Sequence, residues 1–189
     1  MMGSIGFIAM RTRTIVALLL VTLALAWGTA RVVLGKPAGA DRYVVIDGDT
    51  FALLPKACLY TVLELGCPPQ RLRLEGADAF ESKQTCRDAQ DVEWACGAAA
   101  TERLRQLVSR PDFSCRIDPE FIDRHAREFS VCYTGGRDVA AVLVGEGLAF
   151  AYGRDREYLP LENEAKDAGR GAWAGRFVRP QYFRQGALN

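Results

Sequence analysis

Histidine is almost absent from this chain, since His125 is the only one among 189 residues. A zinc hydrolase of the H-E-x-x-H kind needs two histidines, so that class is excluded. The cysteines form no C-x-x-C pair and are not interleaved with histidine, which argues against a structural zinc site. A Ser-His-Asp triad would have to use His125, which lies between two arginines and has no nucleophile elbow nearby.

A surplus of charge of one sign is also missing. The chain has 24 Lys and Arg against 23 Asp and Glu, and without residues 1–30, which carry two arginines and no acid, 22 basic residues remain. A broad basic surface for nucleic acid is therefore excluded, and any phosphate recognition must be local. One basic cluster, residues 166–184, has five Lys and Arg against one Asp. A solvated terminal face explains that cluster at least as well as a binding patch.

The sequence lacks an apolar run long enough for an ordinary membrane span. The run from Ile15 to Ala30 follows two arginines and has 16 residues, whereas a span needs roughly 20. Basic residues followed by apolar and then small residues are typical of a secretory signal sequence. We interpret residues 1–30 as a signal peptide, with a membrane anchor as the alternative, and residues 31–40 as a linker. Both interpretations predict an exported protein, secreted, periplasmic or attached to the membrane outside the cytoplasm.

Six cysteines follow the leader, which suits an oxidising compartment better than a reduced cytosol. Composition alone does not choose among the pairings that six cysteines allow, so the choice rests on spacing. Neighbouring cysteines flank a possible hairpin, a polar excursion and a turn at Asp123-Arg124 in that order. We therefore predict the disulfides Cys58–Cys67, Cys86–Cys96 and Cys115–Cys132.

Strand patterns come first along the chain and helix patterns later. Strand-like runs cover residues 42–46, 50–54, 58–65, 70–75, 113–117 and 128–133. Helical spacing is found at residues 98–108, after an Asp138 cap as far as Gly145 or Gly147, and at residues 158–168. Short antiparallel strands with interspersed helices indicate a small closed barrel, because closure removes exposed edges. The sequence thus predicts one α+β domain over residues 41–184.

Three short pieces carry the charged side chains of interest. Ile46–Thr50 contains two aspartates, Arg73–Glu81 contains Arg73, Asp78 and Glu81, and Asp123–Arg127 ends in an arginine. Each piece alone has a plain structural explanation, as a tight turn, a surface salt-bridge cluster or a hairpin loop. Together they supply carboxylates for a hard divalent cation such as Ca²⁺, a further carboxylate to activate water, and guanidinium groups for phosphate oxygens.

In this order, the pieces resemble the thermonuclease, or staphylococcal nuclease-like, family. Its pattern runs I-D-G-D-T, R-L-x-G-x-D-x-P-E, D-x-Y-G-R and G-L-A, and ends near a tryptophan. The corresponding residues here are Ile46–Thr50, Arg73–Glu81, Asp123–Arg127, Gly147–Ala149 and Trp173. The resemblance covers about residues 43 to 175, and it implies a five-stranded antiparallel OB-type β-barrel with three helices.

The resemblance also implies a calcium-dependent phosphodiesterase site. By position, Asp49 and Asp78 would bind Ca²⁺ together with the main-chain carbonyl of Ala79. Tyr152 would be either a stacking surface for a base or a tyrosine of the core or rim.

Catalytic roles follow from the same resemblance. Glu81 would be the general base, and Arg73 and Arg127 would clamp the scissile phosphate. The expected substrate is DNA and/or RNA, cleaved to a 3′-phosphate and a free 5′-hydroxyl. No protein partner is predicted, and membrane attachment would occur through the N-terminal segment.

The chain departs from the family pattern near two of these residues. Phe80 stands where the family has proline, so the backbone that aims Glu81 has lost one constraint. His125 and Ala126 stand where the family has an aromatic residue and glycine, so the loop that carries Arg127 is expected to differ.

Two other interpretations stay open. The first is a catalytically silent, exported OB-fold module that binds an oligonucleotide, an oligosaccharide or an envelope partner. The second is an anchored assembly protein of the cell envelope. Near-neutral charge and the substitutions at Phe80 and Ala126 keep the first interpretation open, whereas an uncleaved leader would support the second.

Overall fold

The computed structural model describes residues 42–54, 68–153 and 157–187. The predicted leader, the linker, and the Cys58–Cys67 disulfide lie outside the described residues and stay predictions. The described residues belong to one compact unit, Ala40–Asn189. Among them, no helix has both the length and the apolar character that a membrane crossing requires.

The predicted strand at residues 58–65 lies outside the described residues, and the other predicted strands and helices are found, together with further short elements. The strands are β1 Arg42–Val45, β2 Thr50–Leu54, β3 Gln70–Leu74, β4 Ala77–Ala79, β5 Cys86–Arg87, β6 Glu93–Trp94, β7 Ser114–Ile122, β8 Glu128–Thr134, β9 Arg137–Asp138 and β10 Ala149–Ala151. The α-helices are α1 Cys96–Val108, α2 Val139–Gly145, α3 Leu159–Asp167 and α4 Pro180–Phe183, with a 3₁₀ turn at Gly171–Ala174.

The main sheet is curled and mixed, with strand order β1-β2-β3-β8-β7 and with β9 paired to β8. All its pairs are antiparallel except β3 with β8, which is parallel. The predicted all-antiparallel pairing is therefore wrong at this point. The described residues form a half-barrel rather than the predicted closed barrel, and they hold four α-helices rather than three. A parallel pair needs a long crossover, here the chain that contains α1, and strand propensity does not reveal the direction of pairing.

This sheet places Arg73 at its centre. Arg73 lies opposite Thr50 on β2 and opposite Phe129 on β8. The β1–β2 turn and the β7–β8 loop, which hold the first and third charged pieces, therefore lie on either side of one central strand.

The helices cover the sheet as their patterns predict. Ala100, Leu104 and Leu107 of α1 are buried in the main core. The side chain of Asp138 caps α2 by accepting a hydrogen bond from the amide of Ala141, at 3.1 Å. Because apolar periodicity and a capping residue are local signals, both helices are predictable from sequence.

A second, aromatic cluster lies under the segment that carries Glu81. Phe80 is 1% exposed and packs edge-on against Phe150 and Phe177, with ring centroids 5.2 and 5.7 Å apart. Trp173 extends the cluster. The apolar contacts of Phe80 thus supply a constraint where the family pattern has proline.

Two disulfides confirm two of the predicted pairs. Cys86–Cys96 joins the loop after Glu81 to the start of α1, and Cys115–Cys132 joins β7 to β8. Both are consistent with an oxidising compartment outside the cytoplasm.

Replacement of Phe80 by alanine is expected to lower the free energy of unfolding by about 3–5 kcal/mol, because it leaves a cavity among aromatic rings. Urea denaturation measures this loss. The control is Val92→Ala, since Val92 is 58% exposed and its truncation should change stability by less than about 0.5 kcal/mol. Equal losses for the two variants would contradict the buried position of Phe80.

Candidate active site

The charged pieces meet in one cleft with a volume of about 640 Å³. Its lining consists mostly of charged and aromatic side chains, namely Asp47, Asp49, Arg71, Arg73, Phe80, Glu81, Asp123, Arg124, His125, Arg127, Phe129, Tyr152 and Arg184, together with Ala79. Five of the six predicted site residues are in this set. The sixth, Asp78, lines an adjoining cavity and is bonded to two arginines of the cleft.

Arg73 connects the two aspartates that are predicted to bind metal. One of its terminal nitrogens lies 3.1 Å from Oδ2 of Asp49 and 2.9 Å from Oδ1 of Asp78. All three side chains are at least nine-tenths buried. Removal of one member would leave a buried charge without compensation, so the three groups stabilise one another as a unit.

The β1–β2 turn brings Asp49 to this unit. Gly48 allows the approach, because a Cβ at this position would lie 2.7 Å from the Cβ of Ala79 and 2.9 Å from that of Ala100. The amide of Ala79 then donates to Oδ2 of Asp49 at 3.1 Å. The motif is thus a tight turn and also a means of docking a carboxylate against β4.

Asp49 lies in an environment that opposes its ionisation. Its pKa is raised to about 7: burial is the largest cause, the Arg73 charge opposes the rise, and the neighbouring Asp47 and Asp78 add to it. Such a carboxylate is stabilised as an anion by additional positive charge nearby.

Arg127 approaches the same carboxylate from the β7–β8 loop. Its Nη1 donates to Oγ1 of Thr50 at 2.6 Å and lies 3.9 Å from Oδ1 of Asp49. Asp123 orients the guanidinium by accepting a hydrogen bond from Nε of Arg127 at 2.8 Å. The same carboxylate also accepts from the amide of Arg127 at 3.0 Å. Arg73, at 3.2 Å, and Arg127, at 3.9 Å, therefore both approach Oδ1 of Asp49.

The backbone of Glu81 is held by Gln84 and by α1. The Glu81 amide donates to Oε1 of Gln84 at 3.2 Å, and the Gln84 amide donates to the Glu81 carbonyl at 2.7 Å. Gly97 packs against that carbonyl, since a Cβ there would lie 1.7 Å from the oxygen. Gln84 is buried and also donates to the carbonyl of Val178 at 2.6 Å. The loop that carries Glu81 is thus tied to the C-terminal segment.

Arg184 is a cleft residue that sequence reasoning missed. Its Nη1 lies 2.7 Å from Oε1 of Glu81 and 3.1 Å from Oδ1 of Asp78. The only sequence signal was its place in the basic cluster of residues 166–184. No local pattern separates Arg184 from the other basic residues there.

Tyr152 lies at the rim of the cleft. It is 48% exposed, and the guanidinium carbon of Arg73 lies 5.5 Å from its ring centroid. The contact is of the cation–π type. The rim alternative for this tyrosine therefore agrees with its exposure, and the open ring face remains a candidate stacking surface.

The donor set suits a hard cation in its chemistry. Asp49 and Asp78 converge on one nitrogen of Arg73, so their oxygens lie close together. Carboxylate and carbonyl oxygens are the ligands that Ca²⁺ prefers. The described residues contain no group of three His, Cys, Asp or Glu side chains arranged as a metal site. A metal held here would therefore need main-chain or water oxygens beside the two aspartates, and the roles of Asp49, Asp78 and Ala79 stay predictions.

Comparison with known proteins bears directly on this arrangement. The sequence model of the family described as "Staphylococcal nuclease homologue" matches residues 71–175, which include Arg73, Asp78, Glu81 and Arg127. The chain belongs to this family. Its domain is an OB-fold, and the family is one of nucleases and nucleic-acid-binding proteins. The Ile46–Thr50 turn lies outside the matched range but docks against β4 within it.

The chain is also similar to a curated protein of different description. It is 27% identical over 170 residues to "Succinoglycan biosynthesis protein ExoI" of Rhizobium meliloti (strain 1021), covering 86% of this chain and 75% of that protein. Family membership therefore does not by itself specify the biological process that the protein serves.

Replacement of Ala126 by glycine is expected to stabilise the protein by about 0.5–1 kcal/mol. Ala126 has a φ of 56°, and a left-handed backbone costs a non-glycine residue about 1–2 kcal/mol, partly offset by the entropy that glycine loses on folding. Urea denaturation tests the sign. The control Ala98→Gly lies in α1 and should destabilise by about 0.5–1 kcal/mol. A loss of stability in both variants would contradict strain at Ala126.

Asp123→Asn is expected to lower stability at neutral pH by about 1–2 kcal/mol, through weaker charge-assisted hydrogen bonds. Desolvation opposes ionisation of Asp123, but hydrogen bonds from Arg127 and His125 lower its pKa to about 2. Because the pKa is lower in the folded state, ionised Asp123 stabilises the protein at pH values above about 4, the pKa of an aspartate in the unfolded chain. This contribution disappears as the pH falls through 2. Urea denaturation between pH 7 and pH 2 should show that the free energies of unfolding of the parent protein and of Asp123→Asn become more similar as the pH falls. A difference that persists undiminished at pH 2 would contradict this coupling.

Proposed function

We propose that the protein is an exported, calcium-dependent nuclease that hydrolyses phosphodiester bonds of DNA and/or RNA. The observation that carries the proposal is the convergence of Asp49, Asp78 and Glu81 with Arg73 and Arg127 around one cleft. Membership in a family of nucleases and nucleic-acid-binding proteins supports the same substrate class.

Phosphate binding falls to the two arginines that approach Asp49. Guanidinium groups form bidentate hydrogen bonds with phosphate oxygens, and both side chains are largely removed from solvent. Loss of preorganised charge of this kind typically reduces turnover on the order of 10²-fold or more. Because the chain as a whole is near neutral, these two arginines must supply most of the electrostatic attraction for the phosphates of the nucleic acid.

Glu81 is the proposed general base, and its backbone is held by Gln84 and Gly97. Its carboxylate takes a proton from a water molecule, whose oxygen attacks phosphorus in line while the bond to the 5′ oxygen breaks. The leaving oxygen is protonated from solvent, so the products are a 3′-phosphate and a free 5′-hydroxyl. A Ca²⁺ ion bound by Asp49, Asp78 and the carbonyl of Ala79 would supply positive charge to the phosphate oxygens.

The rim supplies groups that suit an unpaired strand. Tyr152 offers a half-exposed ring, and Arg71 and Arg124 add positive charge to the lining of the same cleft. Stacking of bases on aromatic rings combined with local basic charge is typical of single-strand binding. We therefore propose single-stranded nucleic acid as the preferred substrate form.

A second candidate is a non-cleaving OB-fold module that serves envelope biosynthesis. The observation that favours it is the similarity to a protein described as a biosynthesis protein. This candidate predicts ligand binding without hydrolysis.

A cleavage assay separates the two candidates. Purified residues 41–189 are incubated with single-stranded DNA or RNA, with Ca²⁺ or with a chelator. We expect cleavage only with Ca²⁺, and Glu81→Gln should reduce it by about 10²–10⁴-fold, the usual contribution of a general base. The control Glu164→Gln changes an exposed carboxylate of α3 and should leave the rate unchanged.

Three results would each contradict one part of this proposal. Binding without cleavage would favour the second candidate. Cleavage of equal rate in chelator would remove calcium from the proposal. Full activity of Glu81→Gln would show that another group activates water.

A further inference from the structure

Arg184 neutralises the two carboxylates that the proposed reaction needs most. Its Nη1 and Nη2 each lie 3.1 Å from one oxygen of Asp78, and Nη1 also lies 2.7 Å from Oε1 of Glu81. Arg73 is 2.9 Å from Oδ1 of Asp78 as well. Both oxygens of the predicted metal ligand and one oxygen of the predicted base are therefore bonded to guanidinium groups.

The segment before Arg184 is anchored to the domain at several points. Phe177 packs against Phe80, and the carbonyl of Val178 accepts from buried Gln84. Arg179 bonds to Glu162 at 3.2 Å. These contacts deliver Arg184 to the cleft as part of the fold.

Arg184 itself is more open than its anchors. Its side chain is 37% exposed, whereas that of Asp78 is 6% exposed. Desolvation lowers the pKa of the guanidinium, but hydrogen bonds to Asp78 and Glu81 raise it above the ordinary value for arginine. The side chain is therefore a charged group that is partly exposed to solvent and is held by ionic contacts.

A divalent cation and this guanidinium need the same lone pairs. Ca²⁺ binds carboxylate oxygens at about 2.3–2.6 Å, and at such a distance from Asp78 it would stand close to the charge of Arg184. Two positive groups on one small carboxylate repel each other. Occupancy by one should therefore weaken the other.

Building on the proposed function, we propose that Arg184 is an internal competitor of the cation. Its guanidinium neutralises Asp78 and Glu81, and a divalent cation at Asp78 displaces it. Displacement frees the Glu81 carboxylate, so that cation binding and release of the base are coupled. Arg184 is thus an autoinhibitory contact built into the C-terminal segment.

Calcium titration of the purified full chain by isothermal calorimetry tests the competition. Arg184→Gln is expected to bind Ca²⁺ about tenfold more tightly than the parent protein, the size of one charge-assisted hydrogen bond. The matched control is Arg176→Gln, because Arg176 is 73% exposed and pairs with Asp91 outside the cleft. The control should bind Ca²⁺ as the parent protein does.

A second readout is thermal unfolding with and without saturating Ca²⁺. Tighter binding to the folded state gives greater stabilisation, so Ca²⁺ should raise the unfolding temperature of Arg184→Gln more than that of the parent. Where Arg184→Gln fails to fold, Arg184→Lys replaces it. Lysine keeps the charge but lacks the bidentate fork. The Ca²⁺ affinity of Arg184→Lys should therefore be higher than that of the parent protein, but lower than expected for a variant without the positive charge.

Each outcome of these measurements either supports or contradicts the competition between Arg184 and the cation. Equal or weaker Ca²⁺ binding by the Arg184 variants, with calcium-dependent cleavage intact in the parent, would overturn the competition and leave the proposed function standing. Absence of Ca²⁺ binding in every protein would overturn both. Tighter binding in Arg184→Gln, or in Arg184→Lys where the glutamine variant is unfolded, with an unchanged Arg176→Gln control would support the competition.

Discussion

The structure of the cleft depends on the buried contact of Arg73 with two aspartates. This guanidinium lies on the central strand and bonds to Asp49 from the β1–β2 turn and to Asp78 on β4. The cost of desolvating three charges is offset only while all three stay together. The interaction therefore makes the position of the turn, the strand and the cleft mutually dependent.

Around this unit, the chain compensates for its departures from the family pattern. The proline expected before Glu81 is replaced by Phe80, whose ring is locked among Phe150 and Phe177. Gln84 and the Cys86–Cys96 disulfide constrain the following loop. The backbone of a reactive residue can thus be held by aromatic packing and hydrogen bonds in place of a restricted φ.

The arrangement also links chemistry to the C-terminal segment. Three carboxylates at the site, Asp49, Asp78 and Glu81, have guanidinium partners from three separate parts of the chain. Arg73 and Arg127 come from the sheet and its loop, where the family motifs lie. Arg184 comes from beyond the matched range of residues 71–175, so it is a feature of this chain that the motifs do not describe.

Local patterns in the sequence were sufficient to predict the helices α1 and α2, the β1–β2 hairpin, two disulfides and the motifs that line the cleft. The reason is that periodicity, capping, turn chemistry and short spacing are encoded within a few residues. The parallel pairing of β3 with β8 and the position of Arg184 against Asp78 and Glu81 were decided only by the tertiary structure. Each depends on groups brought together from distant parts of the chain. The direction of strand pairing and the choice of ionic partner are set by that packing. Residues that are close in sequence do not determine either of them.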